Sequence, residues 1–216
     1  MIEIFTKILV LYLFVGIVAS GTDLVNGYAT GFEHIFFPIS SENGKLILLY
    51  MICNIAISLA TIILFLKRCD QHISMICYEL KNNNRHKLLY SQKYDLYKCM
   101  IALISAKFII DLLCMIGLHS FSMYTFIYST VSYIFTSALW LETLYALRLF
   151  KVSSNVTFFV VILSVFLSIL MQGSSTLTFF AYCKSINEIY DCLFKGILII
   201  ILHILEIYKI KSVDLY

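Results

Sequence analysis

Lys107 and Asp111 stand four residues apart in "IALISAKFIIDLLCMIGL" (101–118), a run otherwise apolar enough to lie in lipid. That spacing places both on one face of a helix. A charge at the centre of a membrane span costs on the order of 2.5–3.5 kcal/mol on insertion scales, so such groups turn towards other helices. Within one helix acid before base is the better order, and here the base comes first, which directs both residues to partners elsewhere. Depth nominates those partners. Counted from the cytoplasmic ends of the proposed spans at about 1.5 Å per residue, Lys107 lies about 12 Å in, and Glu142 and His203 about 9 Å in. On the same count Asp111 lies about 18 Å in and Asn54 about 20 Å. The expected polar layer pairs Lys107 with Glu142 and His203, and Asp111 with Asn54. Such a layer lines a ligand pocket, an ion path or a proton relay, or it ties helices together. Both uses stand open on the sequence.

Other chemistry is not visible. There is no HExxH, no histidine box, no pair of intramembrane aspartates and no glycine-flanked serine, so no enzyme and no catalytic residue is expected. His203-x-x-Glu206 has no second copy and is not expected to hold a metal. Glu206 lies within about 5 Å of the membrane surface by the same count and is expected to snorkel outwards. No cofactor is implied. The seven cysteines are scattered without metal spacing. Cys183 and Cys192 share an outward loop, where a lumenal disulfide and two free thiols are equally open readings. Asn155-Val-Thr157 matches a glycosylation sequon, but on the inner side, where it stays silent.

The elements that position these residues follow from composition. Of 216 residues, 61% are hydrophobic and 13% charged, and the mean hydropathy is +0.89. Soluble domains carry about 25% charge. One proline and eight glycines leave little turn chemistry, and the apolar runs do not alternate as barrel strands do. The expected class is all-α: a polytopic helical membrane protein with about six spans, over 5–20, 46–66, 99–118, 123–149, 156–181 and 193–208. The whole chain then forms one membrane domain with the lipid bilayer as its solvent. A net charge of +3 without a basic stripe gives no reason to expect a nucleic-acid partner.

Topology comes from the loops. The insert 67–98 carries seven Lys or Arg against three acids, whereas 21–44 carries three acids and no Lys or Arg. Positive loops stay cytoplasmic, so 67–98 is inside and both termini are inside. Arg148 and Lys151 then serve as inner anchors. The stretch 1–20 is read as a retained span, with a cleaved signal peptide as the alternative. Ile73, Ile76, Cys77 and Leu80 share a helical face. The insert is therefore either a helical hairpin projecting from the membrane or an interfacial helix lying on it. The stretch 121–150 would be about 45 Å long as a helix and must tilt or project.

The layout of residues 1–155 resembles the front half of the insect gustatory and odorant receptor superfamily. The likeness rests on "TKILVLYLFVG", on "FLKRCDQHISMICYEL" running out of the second span, on the basic insert, and on a long fourth helix ending "LYALRLFKVSSN". It implies a ligand-gated cation channel with a cytoplasmic amino terminus. The family's carboxy-terminal Thr-Tyr signature and seventh span are missing, and no functional residue carries over. The leading functional expectation is a receptor or channel-like protein in a plasma membrane or endomembrane, forming a homo-oligomer. A non-catalytic accessory subunit of a larger membrane complex comes second, and a small transporter third.

Overall fold

A computed structural model of the chain describes residues 44–79, 85–118, 123–170 and 188–212, together with Thr6, Lys7 and Val10. The elements are α1 (Gly44–Glu79), α2 (Arg85–Leu118), α3 (Met123–Leu149), α4 (Ser154–Leu170) and α5 (Glu188–Ser212). The chain is all-helical, and no strand occurs among the described residues. Apart from Thr6, Lys7 and Val10, the proposed span 5–20 lies outside the described residues, as does the 171–181 end of the fifth apolar run.

α1 and α2 each outrun their apolar stretches. α1 is 36 residues long, about 54 Å at the usual rise, and continues through the polar segment that begins at Lys67. No Gly or Pro follows Gly44 in α1, and none precedes Gly117 in α2, so nothing interrupts the backbone ladder where the sequence turns polar. The two arms of the basic insert are thus continuous with the helices on either side of it.

α3 is the central helix. It packs against each of the other four and most extensively against α5, burying Thr136, Leu139, Trp140, Leu144 and Tyr145 completely or nearly so. α3 and α5 run parallel. The Lys195 ammonium donates to the Thr136 hydroxyl at 3.0 Å, and further along Lys209 Nζ lies 5.4 Å from the centre of the Phe150 ring. Gly196 permits the close approach between them, since a Cβ there would sit 3.3 Å from Phe135 Cε1.

The turn from α3 to α4 is fixed by a three-helix tie. Lys151 takes the left-handed conformation (φ 63°) that closes a helix end, with Val152 N–H returning to Leu147 C=O at 3.1 Å. Asp70 of α1 accepts from Arg148 Nε at 2.5 Å and from the Ser154 hydroxyl at 2.9 Å. Arg148 also donates to the Val152 carbonyl. Asp70 thus ties α1 to α3 through Arg148 and to α4 through Ser154, and Arg148 is a tie as well as a basic residue at the expected inner end. Thr157 of the sequon is fully buried on α4.

Among the described residues no helix is long and apolar enough to cross a membrane. Charges interrupt and border the apolar run of α5, where 193–208 contains Lys195 and Glu206, with Asp191 and Lys209 just beyond its ends. Several of these charges point inwards: Asp191, Lys195 and Glu206 are all fully buried.

Candidate functional site

Four of the chain's ionisable groups meet where α2, α3 and α5 touch. Lys93 of α2 is the hub and is 4% exposed. Its ammonium lies 2.6 Å from Glu142 Oε2 of α3, against Glu206 Oε2 of α5, and 2.9 Å from His203 Nδ1 of α5. An ammonium only donates, so the His203 contact requires the tautomer whose lone pair is on Nδ1. The other oxygen of Glu142 accepts from the Tyr97 hydroxyl. Tyr97 and Lys93 are four residues apart on α2, and His203 and Glu206 three apart on α5, so each helix presents two groups on one face.

Burial decides what this cluster can do. Glu142 and Glu206 are 1% and 0% exposed, and their ligand oxygens and the His203 ring nitrogen lie within 4.8 Å of one another. Two carboxylates against one ammonium leave one negative charge in excess when His203 is neutral. Glu206 Oε1 is buried without a hydrogen-bond partner, and so is the Tyr145 hydroxyl, whose ring lies 5.4 Å from Lys93 Nζ. Burial, and then the nearby Glu142 carboxylate, pushes the Tyr97 hydroxyl far above its ordinary range. It therefore stays protonated and donates. Cys69 of α1 is likewise raised, by burial first and then by the carboxylates of Asp70, Glu206 and Glu142, so it borders the cluster as a neutral thiol.

A second buried group lies elsewhere on the same α3–α5 seam. Lys195 and Asp191, both fully buried, pair at 2.8 Å across one turn of α5, and Lys195 also reaches Thr136.

The residues expected from sequence are distributed unequally between these sites. Glu142 and His203 come together as expected, but the ammonium between them belongs to Lys93. Lys107 sits 14 residues further along α2, about 21 Å away, buried with its Nζ 5.6 Å from the centre of the Tyr133 ring. The depth count misplaced the partner because it started from the ends of apolar runs. Counted outwards from the midpoint between α2 and α3 instead, Glu142 is level with about residue 99 and Tyr133 with about residue 108. That register brings Tyr97 to Glu142 and Lys107 to Tyr133. Glu206, expected to snorkel, is fully buried because its face of α5 is turned to α3. The side chains of Asp111 and Asn54 lie outside the described residues, as does Cys183. Cys192 is partly buried on α5.

Lys93 was obscured by its place in a basic insert that reads as loop charge. Asp191 and Lys195 were obscured by the length of the apolar run around them. Their signal was available: Asp191, Lys195 and Glu206 recur at spacings of 4 and 11, one face of a helix.

Comparison of the chain with protein-family models, with curated proteins and with solved structures gave no match.

Proposed function

We propose that this is a polytopic helical membrane protein of receptor or channel type, whose buried polar cluster forms an ion or ligand site at its cytoplasmic end. The observation that carries the reading is an inverted distribution of polarity. On α5 the charged residues Asp191, Lys195 and Glu206 face the bundle, while Ile200, Ile204 and Tyr208 are 60%, 59% and 71% exposed. α4 repeats the pattern, with Thr157 buried and Phe159 65% exposed. In water such a bundle leaves apolar surface wet and desolvates charge, and both are unfavourable. In hydrocarbon both choices become favourable. Because Lys107, Glu142, Lys195 and Glu206 turn inwards, the outer surface is more apolar than the helix sequences taken as a whole.

Orientation follows from the basic insert, which supplies Lys93 and Tyr97 and which the positive-inside rule assigns to the cytoplasm. The cluster then sits at the inner mouth of the bundle, where His203, about one-third exposed, opens it to solvent. The layout shared with insect chemoreceptors is in keeping with this reading. The partners proposed are lipid and further copies of the chain.

A second reading, a non-catalytic accessory subunit, is favoured by the balanced Asp191–Lys195 pair, which needs no ligand to be satisfied. Purification of the tagged full-length chain in mild detergent separates the two, with native mass and co-purifying polypeptides as readouts. A symmetric homo-oligomer whose currents in vesicles change with Glu142→Gln is the expected result. A stoichiometric foreign partner would establish the accessory reading instead. A chain that stays in solution without detergent would sink both.

A further inference from the structure

Three donor atoms of unlike chemistry converge on one point. Glu142 Oε2, Glu206 Oε2 and the Nδ1 lone pair of His203 all address the same ammonium. They are held within 4.8 Å of one another. Two carboxylates and an imidazole are a donor set that divalent transition metals of the zinc class accept. Glu206 Oε1, buried and without a hydrogen-bond partner, is a further oxygen already desolvated and free to complete a bidentate carboxylate. The charge of the ligands agrees, since two ionised carboxylates with Lys93 displaced carry the two negative charges that a divalent ion neutralises.

We propose that Glu142, His203 and Glu206 form a binding site for a divalent transition-metal ion, with the Lys93 ammonium as its built-in competitor. The inference deepens the reading of the cluster as an ion site and rests on it. Metal–ligand distances of about 2.0–2.2 Å are shorter than those to the ammonium, so the three ligands close in by about half an ångström as the metal enters. Lys93 is displaced along its flexible four-carbon stem, and the cluster loses no positive charge in the exchange. His203 supplies the way in, as the only one of the three ligands with substantial exposure. Tyr97 keeps its hydrogen bond to Glu142 Oε1 and orients that carboxylate from outside the metal's shell.

The test is zinc binding to full-length protein in mild detergent, read by competition with a chromogenic chelator. Wild type is expected to bind one ion per chain at the site, and Lys93→Met to bind it more tightly by roughly a hundredfold, because a unit positive charge about 3 Å away has been removed. Adding His203→Gln to Lys93→Met is expected to abolish that gain. A folded Lys93→Met protein, of native mass and helicity, that binds zinc no more tightly than wild type would overturn the proposal. Should Lys93→Met not fold, cobalt loading of wild type and of the charge-balanced Glu206→Gln decides the matter. A tetrahedral cobalt absorption lost in Glu206→Gln supports the site, and a band that is absent in wild type or unchanged in the variant overturns it. No current is measured in these experiments. An oligomer that conducts but binds no zinc therefore loses this inference alone, and a zinc-binding subunit of a foreign complex loses the receptor reading alone.

Discussion

The α3–α5 seam carries two buried charge groups that solve the same problem differently. At one, Asp191 and Lys195 lie on a single helix, acid before base, one against one, with Thr136 taking a remaining ammonium proton. At the other, three helices contribute Lys93, Glu142, Glu206 and His203, and the carboxylates outnumber the ammonium. The ion pair of the first lies within α5 alone. The second exists only when the bundle assembles, and it sets two carboxyl groups against one ammonium. A balanced local pair is what tying helices together requires; an unbalanced cluster at a helix junction has capacity left for a ligand.

Removing an acid should therefore have unequal consequences at the two places. Asp191→Asn leaves Lys195 buried without its counter-ion and is expected to cost about 3–5 kcal/mol, measured as a fall in denaturation midpoint in detergent. Lys93→Met leaves two carboxylates facing one another and is expected to cost as much, with the loss partly reversed by zinc. Glu206→Gln leaves Lys93 and Glu142 one against one and should cost under about 1.5 kcal/mol, the value of an ordinary hydrogen bond. Equal losses from Asp191→Asn and Glu206→Gln would erase the distinction. Smaller still is the packing between the two groups. Gly196→Ala pushes against an aromatic edge and should cost about 1 kcal/mol, lowering the midpoint without changing zinc affinity.

The smallest effect belongs to the exposed Asp95–Lys98 pair on α2. The Lys98 hydrogen bond lowers the Asp95 carboxyl below its ordinary range. Its stabilisation is therefore present above the carboxyl's unfolded-state value and lost as pH falls through the lowered one. Solvent screens such a pair. Asp95→Asn should lower the midpoint at neutral pH only slightly, and that small difference should vanish as the pH falls into acid.

The difference between the two groups also explains what the sequence disclosed. The helical class followed from composition, and Glu142 and His203 were legible as polar residues inside apolar runs. Lys93 was not, because nothing in residues 67–98 distinguishes a lysine that folds back onto the bundle from one that meets solvent. Lys195 and Asp191 were missed for the reverse reason: the apolar run around them drew attention to its length and away from its faces. Glu206 was seen but turned the wrong way, since depth along a helix says nothing of azimuth. Marking the isoleucine face of α5 would have corrected all three, because residues opposite Ile197, Ile200 and Ile204 must face the bundle.

The cluster's three helices also impose an order in time. Chains are made from the amino end, and early elements associate before later ones exist. Lys93 and Glu142 are both made before α5 and form a neutral pair between α2 and α3. Glu206 arrives last, and with it the excess negative charge. The docking of α5 is thus the step of biosynthesis at which the cluster gains its second carboxyl group, so completion of the cluster should depend on the ionic composition of the compartment in which it takes place.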